Sequence, residues 1–152
     1  MAIRNLRYND DPILKKKARP IPEVTDRIKE LAKDMVDTMY LKEGVGLAGP
    51  QVGILKRIVV IDVGDGPMTL INPEIVKREG SVVDSEACLS FPEQSGKVER
   101  PEMVVARYTD LEGAEQEVTG HGLLARAICH ELDHLDGIVF LDRVIADDDP
   151  EE

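Results

Sequence analysis

The spacing of apolar positions changes period twice along the chain. Ile28, Leu31, Ala32, Met35, Val36 and Met39 recur at helical spacing, which predicts a helix capped by Thr25 and stopped by Gly44. Upstream, Asp10-Asp11-Pro12 reads as the start of a shorter helix, with Lys15, Lys16 and Lys17 near its C-terminal end. From residue 57 the pattern becomes strand-like. Residues 57–63, 68–71, 75–79, 97–100, 103–108 and 115–119 are short β-branched or alternating runs, separated by turns such as Asp110-Leu111-Glu112-Gly113. The gaps are too short for crossover helices, so the pairing is predicted to be mainly antiparallel. Over 122–135 the period is helical again, ending near Gly137. The predicted class is α+β, with antiparallel sheets packed around a C-terminal helix and helices at the N-terminal end.

The chain has 152 residues, which suits one domain spanning 1–152, and its 42% hydrophobic content is that of a globular protein. Against 30 Asp and Glu stand only 19 Lys and Arg, a net charge of -11. That balance argues against DNA or an anionic membrane as partner, because phosphates are met largely by Lys and Arg. No apolar run is long enough to span a bilayer, and residues 1–11 lack the apolar core of a secretory signal. The expected location is the cytoplasm. Residues 147–152 form an acidic tail, expected to fray and given no role.

Three histidines make spacing informative. His130-Glu131-Leu132-Asp133-His134 falls in the last predicted helix, so the two His share one face about 6 Å apart. Glu131 can reach a water on a metal held there. The plain alternative is a surface His pair beside acids. Longer protease motifs place a third His six residues after the second, but that position is Phe140. The other arrangement needs a later Glu, and only Glu151 and Glu152 follow, in the tail. A third ligand is therefore sought upstream, where Cys88 in Glu86-Ala87-Cys88-Leu89-Ser90 is the best candidate. Its alternative is an ordinary buried thiol. Cys129 points about 100° away from His130 and reads as core, and His121 as a turn or capping residue.

Together with Gly44-Val45-Gly46-Leu47-Ala48-Gly49-Pro50-Gln51, these two segments resemble the three ordered motifs of bacterial peptide deformylases, GxGLAAxQ, EGCLS and HExDH. The similarity runs from about Ile13 to Arg143. Gly49 and Ala87 depart from it, each exchanging one small residue for another, and Ala87 would demand an L-residue backbone beside the ligand.

The resemblance implies a metal-dependent hydrolase that removes the formyl group from N-formylmethionyl nascent peptides. Cys88, His130 and His134 would hold one divalent ion, Fe2+ by family precedent, with Zn2+ or Ni2+ able to substitute. A hydroxide on the metal would attack the formyl carbon, and Glu131 would act as general acid and base. Gln51, through its amide, and the Leu89 backbone N–H would hold the oxyanion. For Gln51 the plain alternative is a loop-end residue bonding its own backbone. Gly44, Val45 and Gly46 would pair with the peptide. Leu123, Arg126 and Ala127 would line the methionine pocket, Arg126 keeping its charged head in water. Glu86 would pair with Arg100 beneath the site. Any ribosome contact would be transient and without a basic tail.

Two other functions use the same residues. An endoprotease shares the HExxH chemistry, although its downstream ligand is missing. A structural zinc module would need His121 or Cys129 as a fourth ligand.

Overall fold

The computed structural model describes residues 2–147. The expected acidic tail lies, beyond Asp147, outside the described residues. Helix α1 spans Asp26–Leu41, and the Thr25 side chain accepts from Ile28 N–H at its start, as the sequence predicts. Its buried face carries Ile28, Leu31, Ala32, Met35 and Met39 together with Asp34 and Thr38. Those two polar residues are satisfied by Arg4, whose guanidinium pairs with Asp34 and whose N–H reaches Thr38 Oγ1. The helix ends before Gly44, and Glu43, with φ +60°, takes the left-handed turn.

The shorter helix expected after Asp10 is only a 3-10 turn, Pro12–Lys15, capped by Asp11. A single turn fixes several residues for few hydrogen bonds, and Lys16 is already extended. The glycine-rich stretch is also more ordered than a loop. It contains strand β1, Gly46–Ala48, and a 3-10 turn, Gly49–Val52.

Strands β2 (Ile58–Ile61), β3 (Met68–Glu79), β4 (Val82–Cys88), β5 (Phe91–Arg100), β6 (Met103–Thr109) and β7 (Glu115–His121) follow. Helix α2 spans Leu123–Leu135 and β8 spans Val144–Ala146. All strand pairs are antiparallel, in a five-stranded sheet ordered β1-β2-β3-β6-β7 and a three-stranded sheet ordered β4-β5-β8. The two runs predicted at 68–71 and 75–79 are one strand. β3 passes through Asn72-Pro73, where its register with β6 shifts, as it does again between Ile75 and Lys77. Asn72 tolerates φ +50°, and its side chain is tied to the Ile21 backbone in both directions.

Helix α2 is buried on most sides, from Ala125 through Leu132 and again at His134 and Leu135. Its apolar residues pack against Val59, Ile61, Leu70 and Val104 of the five-stranded sheet. A smaller cluster of Leu14, Phe91, Val98, Val139 and Phe140 serves the other sheet. The functional residues of α2 are thus held in the middle of the molecule. Among the described residues no helix is long and apolar enough to cross a membrane.

Candidate metal centre and active site

Cys88, His130 and His134 converge. Their donor atoms lie within 4.8 Å of one another, and Cys88 Sγ is 3.3 Å from His134 Nε2. Cys88 closes β4 at a register shift, where pairing jumps from Ala87↔Ser95 to Cys88↔Phe91. A bulge of this kind re-aims a side chain out of the ladder. His130 and His134 are one helical turn apart, with ring centroids separated by 5.1 Å. One Cys sulfur and two imidazoles are a donor set that could hold a divalent ion and leave it a further position for water.

The surroundings fit a cation. Burial works against a charged His130, but Cys88 and Glu86 outweigh it and push its pKa up to about 10. His134 goes the other way, held well below its ordinary value by burial and then by His130. The donor set therefore favours a positive charge among its members, a demand that a bound divalent ion meets. His134 Nδ1 and Glu131 Oε1 are both buried without a protein partner.

Glu86 lies beneath, as the sequence suggests. It accepts from Arg100 Nε at 2.7 Å and Nη2 at 3.0 Å. Two further contacts are not legible in the sequence. Arg126 Nη1 donates to Glu86 at 2.7 Å, and His130 Nδ1 stands 2.8 Å from its other oxygen. Burial raises the Glu86 pKa, yet bonds from Arg100 and His130 overcome it and hold the group at about 2. Arg100 Nη1 continues to Asp133 at 2.7 Å, which ties this network to the last turn of α2.

The expectation for Arg126 is corrected. Its head is not in water but is buried on Glu86, Val98 O and Val82 O, at 2.7, 2.9 and 2.9 Å. Spacing on α2 places it on the His130 face, but only the β4–β5 pairing supplies the acceptors. Cys129 is buried in the core as expected, and burial pushes its thiol pKa up.

Glu131 is 4% exposed, and burial raises its pKa to about 7. A carboxyl titrating there is suited to exchanging a proton near neutral pH. Gly46 makes room for it, since a Cβ at that position would stand 2.5 Å from Glu131 Oε2. Gln51 is tied into its own turn, as the plain reading of its position expects. Its Oε1 accepts from Ala48 N–H at 2.9 Å within its own turn. Its Nε2 meanwhile faces Ser90 Oγ at 3.1 Å and Cys88 Sγ at 3.4 Å.

A cavity of about 340 Å³ opens above these groups. Gly44, Val45, Gly46, Gln51, Leu89, Leu123, Arg126 and Ala127 all line it, as do Cys88, His130 and Glu131. His134 closes the metal set from behind and Arg100 lies deeper. Ser90 and Asp133 stand within the recognised motifs, yet spacing assigns them no partner.

A profile of the polypeptide deformylase family matches residues 3–149. The chain belongs to the polypeptide deformylase family. The peptide deformylase of Caldanaerobacter subterraneus subsp. tengcongensis is 55% identical over 152 residues, covering 100% of this chain and 96% of the relative. That of Alkaliphilus metalliredigens is 55% identical over 145 residues, 95% of this chain and 99% of the relative. The crystal structure of the Thermotoga maritima deformylase is similar with a TM-score of 0.93 at 40% identity, covering 95% of this chain and 99% of that one. The Synechococcus elongatus enzyme, solved in complex with actinonin, gives 0.90 at 42%, covering 93% and 78%.

Both departures from the deformylase motifs have a local explanation. At Gly49 a Cβ would come within 2.8 Å of the Lys56 and Ile54 carbonyl oxygens, so the 54–56 segment packs where a methyl would go. Ala87 is not among the residues with positive φ, so its backbone accepts a side chain without strain.

Proposed function

We propose that this deformylase removes the formyl group from N-formylmethionyl nascent peptides in the cytoplasm, in a metal-dependent hydrolysis. The observation that carries the reading is the convergence of Cys88, His130 and His134 beside Glu131 and Gln51 at the base of one cavity. A divalent ion held by the three ligands, ferrous by family precedent and replaceable by zinc or nickel, supplies Lewis acidity and lowers the pKa of water from near 16 to about 7. Glu131 accepts the proton of the attacking water and returns it to the departing amine. The Gln51 amide and the Leu89 N–H donate to the carbonyl oxygen as charge builds on it.

The peptide lies extended between residues 44–46 and 85–87, both of which line the cavity. Its methionine side chain rests on Leu123, Ala127 and the stem of Arg126. Contact with the ribosome that presents such peptides is transient on this reading.

The test compares formyl-Met-Ala, acetyl-Met-Ala and a longer unblocked peptide on metal-loaded protein. Acetyl adds a methyl where the donors close around the carbonyl and is also the poorer electrophile. The formyl peptide should be preferred at least about 100-fold in kcat/KM. Comparable cleavage of the acetyl peptide, or internal cuts in the unblocked one, would overturn the reading in favour of a protease.

A further inference from the structure

Gln51 and Cys88 meet in the site but belong to different halves of the fold. Gln51 sits in the turn after β1 of the five-stranded sheet, whereas Cys88 ends β4 of the other and Ser90 lies in the short connection to β5. The N-terminal segment crosses from one half to the other. Arg7 N–H donates to Gln51 O at 2.8 Å, and Asn9 N–H donates to Ser90 O at 2.8 Å. Both ends of the crossing are anchored in core. Leu6 packs in the cluster of α1 and β2 residues, whereas Leu14 is fully buried with Phe91, Val98 and Phe140. Further back, Arg4 is fixed to α1 through Asp34 and Thr38. The crossing segment has a set shape, because Asn9 holds φ +53° and Asp11 N–H closes a turn on Tyr8 O.

We propose that residues 7–9 act as a backbone strap that positions Gln51 relative to Cys88 and Ser90. The inference rests on the reading of Gln51 as the oxyanion donor. Two hydrogen bonds two residues apart fix the spacing between the turn that carries Gln51 and the Ser90 turn that follows Cys88. The Gln51 Nε2 contacts to Ser90 Oγ and Cys88 Sγ then fall into place across that fixed gap. A strap of this kind acts on turnover more than on binding, because an oxyanion donor meets charge that develops only in the transition state.

The experiment separates the backbone donor from the side chain. Arg7→Pro removes the N–H, and Arg7→Ala keeps it. Asn9→Val strains the positive φ with a β-branched residue, whereas Asn9→Gly relieves it. Each full-length variant is loaded with metal and assayed on formyl-Met-Ala beside Gln51→Ala. Arg7→Pro and Asn9→Val should lower kcat about 10- to 100-fold with KM within about threefold and metal content unchanged. Arg7→Ala and Asn9→Gly should stay within about twofold of the parent.

Turnover by Arg7→Pro and Asn9→Val equal to that of their controls, with Gln51→Ala impaired, would overturn the strap alone. Normal turnover by Gln51→Ala would instead remove the reading on which it rests. Loss of metal in step with kcat would make the segment a general structural support and would also overturn the proposal. If both strained variants fail to fold, amide hydrogen exchange on the parent protein decides. Arg7 and Asn9 amides should exchange as slowly as those of β2, and exchange at the rate of an exposed loop would sink the strap.

Discussion

His130 Nδ1 stands 2.8 Å from Glu86, and this contact fixes which nitrogen of the imidazole is left for a metal. An ionised carboxylate can only accept, so it accepts from Nδ1–H and leaves Nε2 as the nitrogen from which a metal would displace a proton. Arg100 and Arg126 hold Glu86 itself from two other directions. The ligand is therefore oriented by a buried ionic network rather than by its own helix alone.

The ligand assignment predicts that Cys88→Ala, His130→Ala and His134→Ala each lose the single metal. Elemental analysis of purified protein checks this. Stoichiometric metal retained by Cys88→Ala would remove the thiolate from the set.

Glu131→Gln should keep both the metal and the fold but lose about 10²- to 10⁴-fold in kcat, because an amide cannot accept the proton. The side chain is buried and of similar size, so thermal unfolding should move little. Turnover within a few-fold of the parent would assign proton transfer to another group.

Acid should reveal the Glu86 network. The folded pKa, about 2, lies below the ordinary value of 4.5, so ionised Glu86 contributes stability above the ordinary value. That contribution is lost as pH falls toward 2. Urea unfolding of chelator-treated parent and Glu86→Gln protein, followed from pH 7 downward, should show a gap that narrows below about pH 4.5. A gap of constant size across that range would mean that Glu86 is not held ionised by its partners.

The two motif departures should respond unequally to reversion. Gly49→Ala forces a methyl against two backbone carbonyls and should cost about 1 to 3 kcal/mol in urea unfolding. Ala87→Gly meets no such obstacle and should cost no more than about 1 kcal/mol, from added freedom in the unfolded chain. Equal stability of Gly49→Ala and parent would show that the 54–56 segment gives way easily.

Helices α1 and α2 were legible because their apolar faces repeat over three or more turns, and Thr25 marks the start of the first. Strand β4 was not, although it carries the thiolate. Of its seven residues only Glu86 is buried, so the core-facing position is a charge and no apolar alternation appears. Strands β1 and β8 have three residues each, too few to show a period. The candidate metal residues were readable from side-chain chemistry, and the structure brings Cys88, His130 and His134 together. Backbone contacts such as Arg7 N–H to Gln51 O leave no mark on residue type. The burial of Arg126 depends on carbonyls of β4 and β5 that lie far away in sequence.

The strand order has a consequence for solubility. β1 and β4 are the terminal strands of their sheets, and such edges invite other chains to add on and aggregate. Here Gly46 of β1 and residues 85–88 of β4 line one cavity, so part of each edge opens onto the same cleft. On the proposed reading, the pairing capacity of those stretches is used by the end of a single extended peptide.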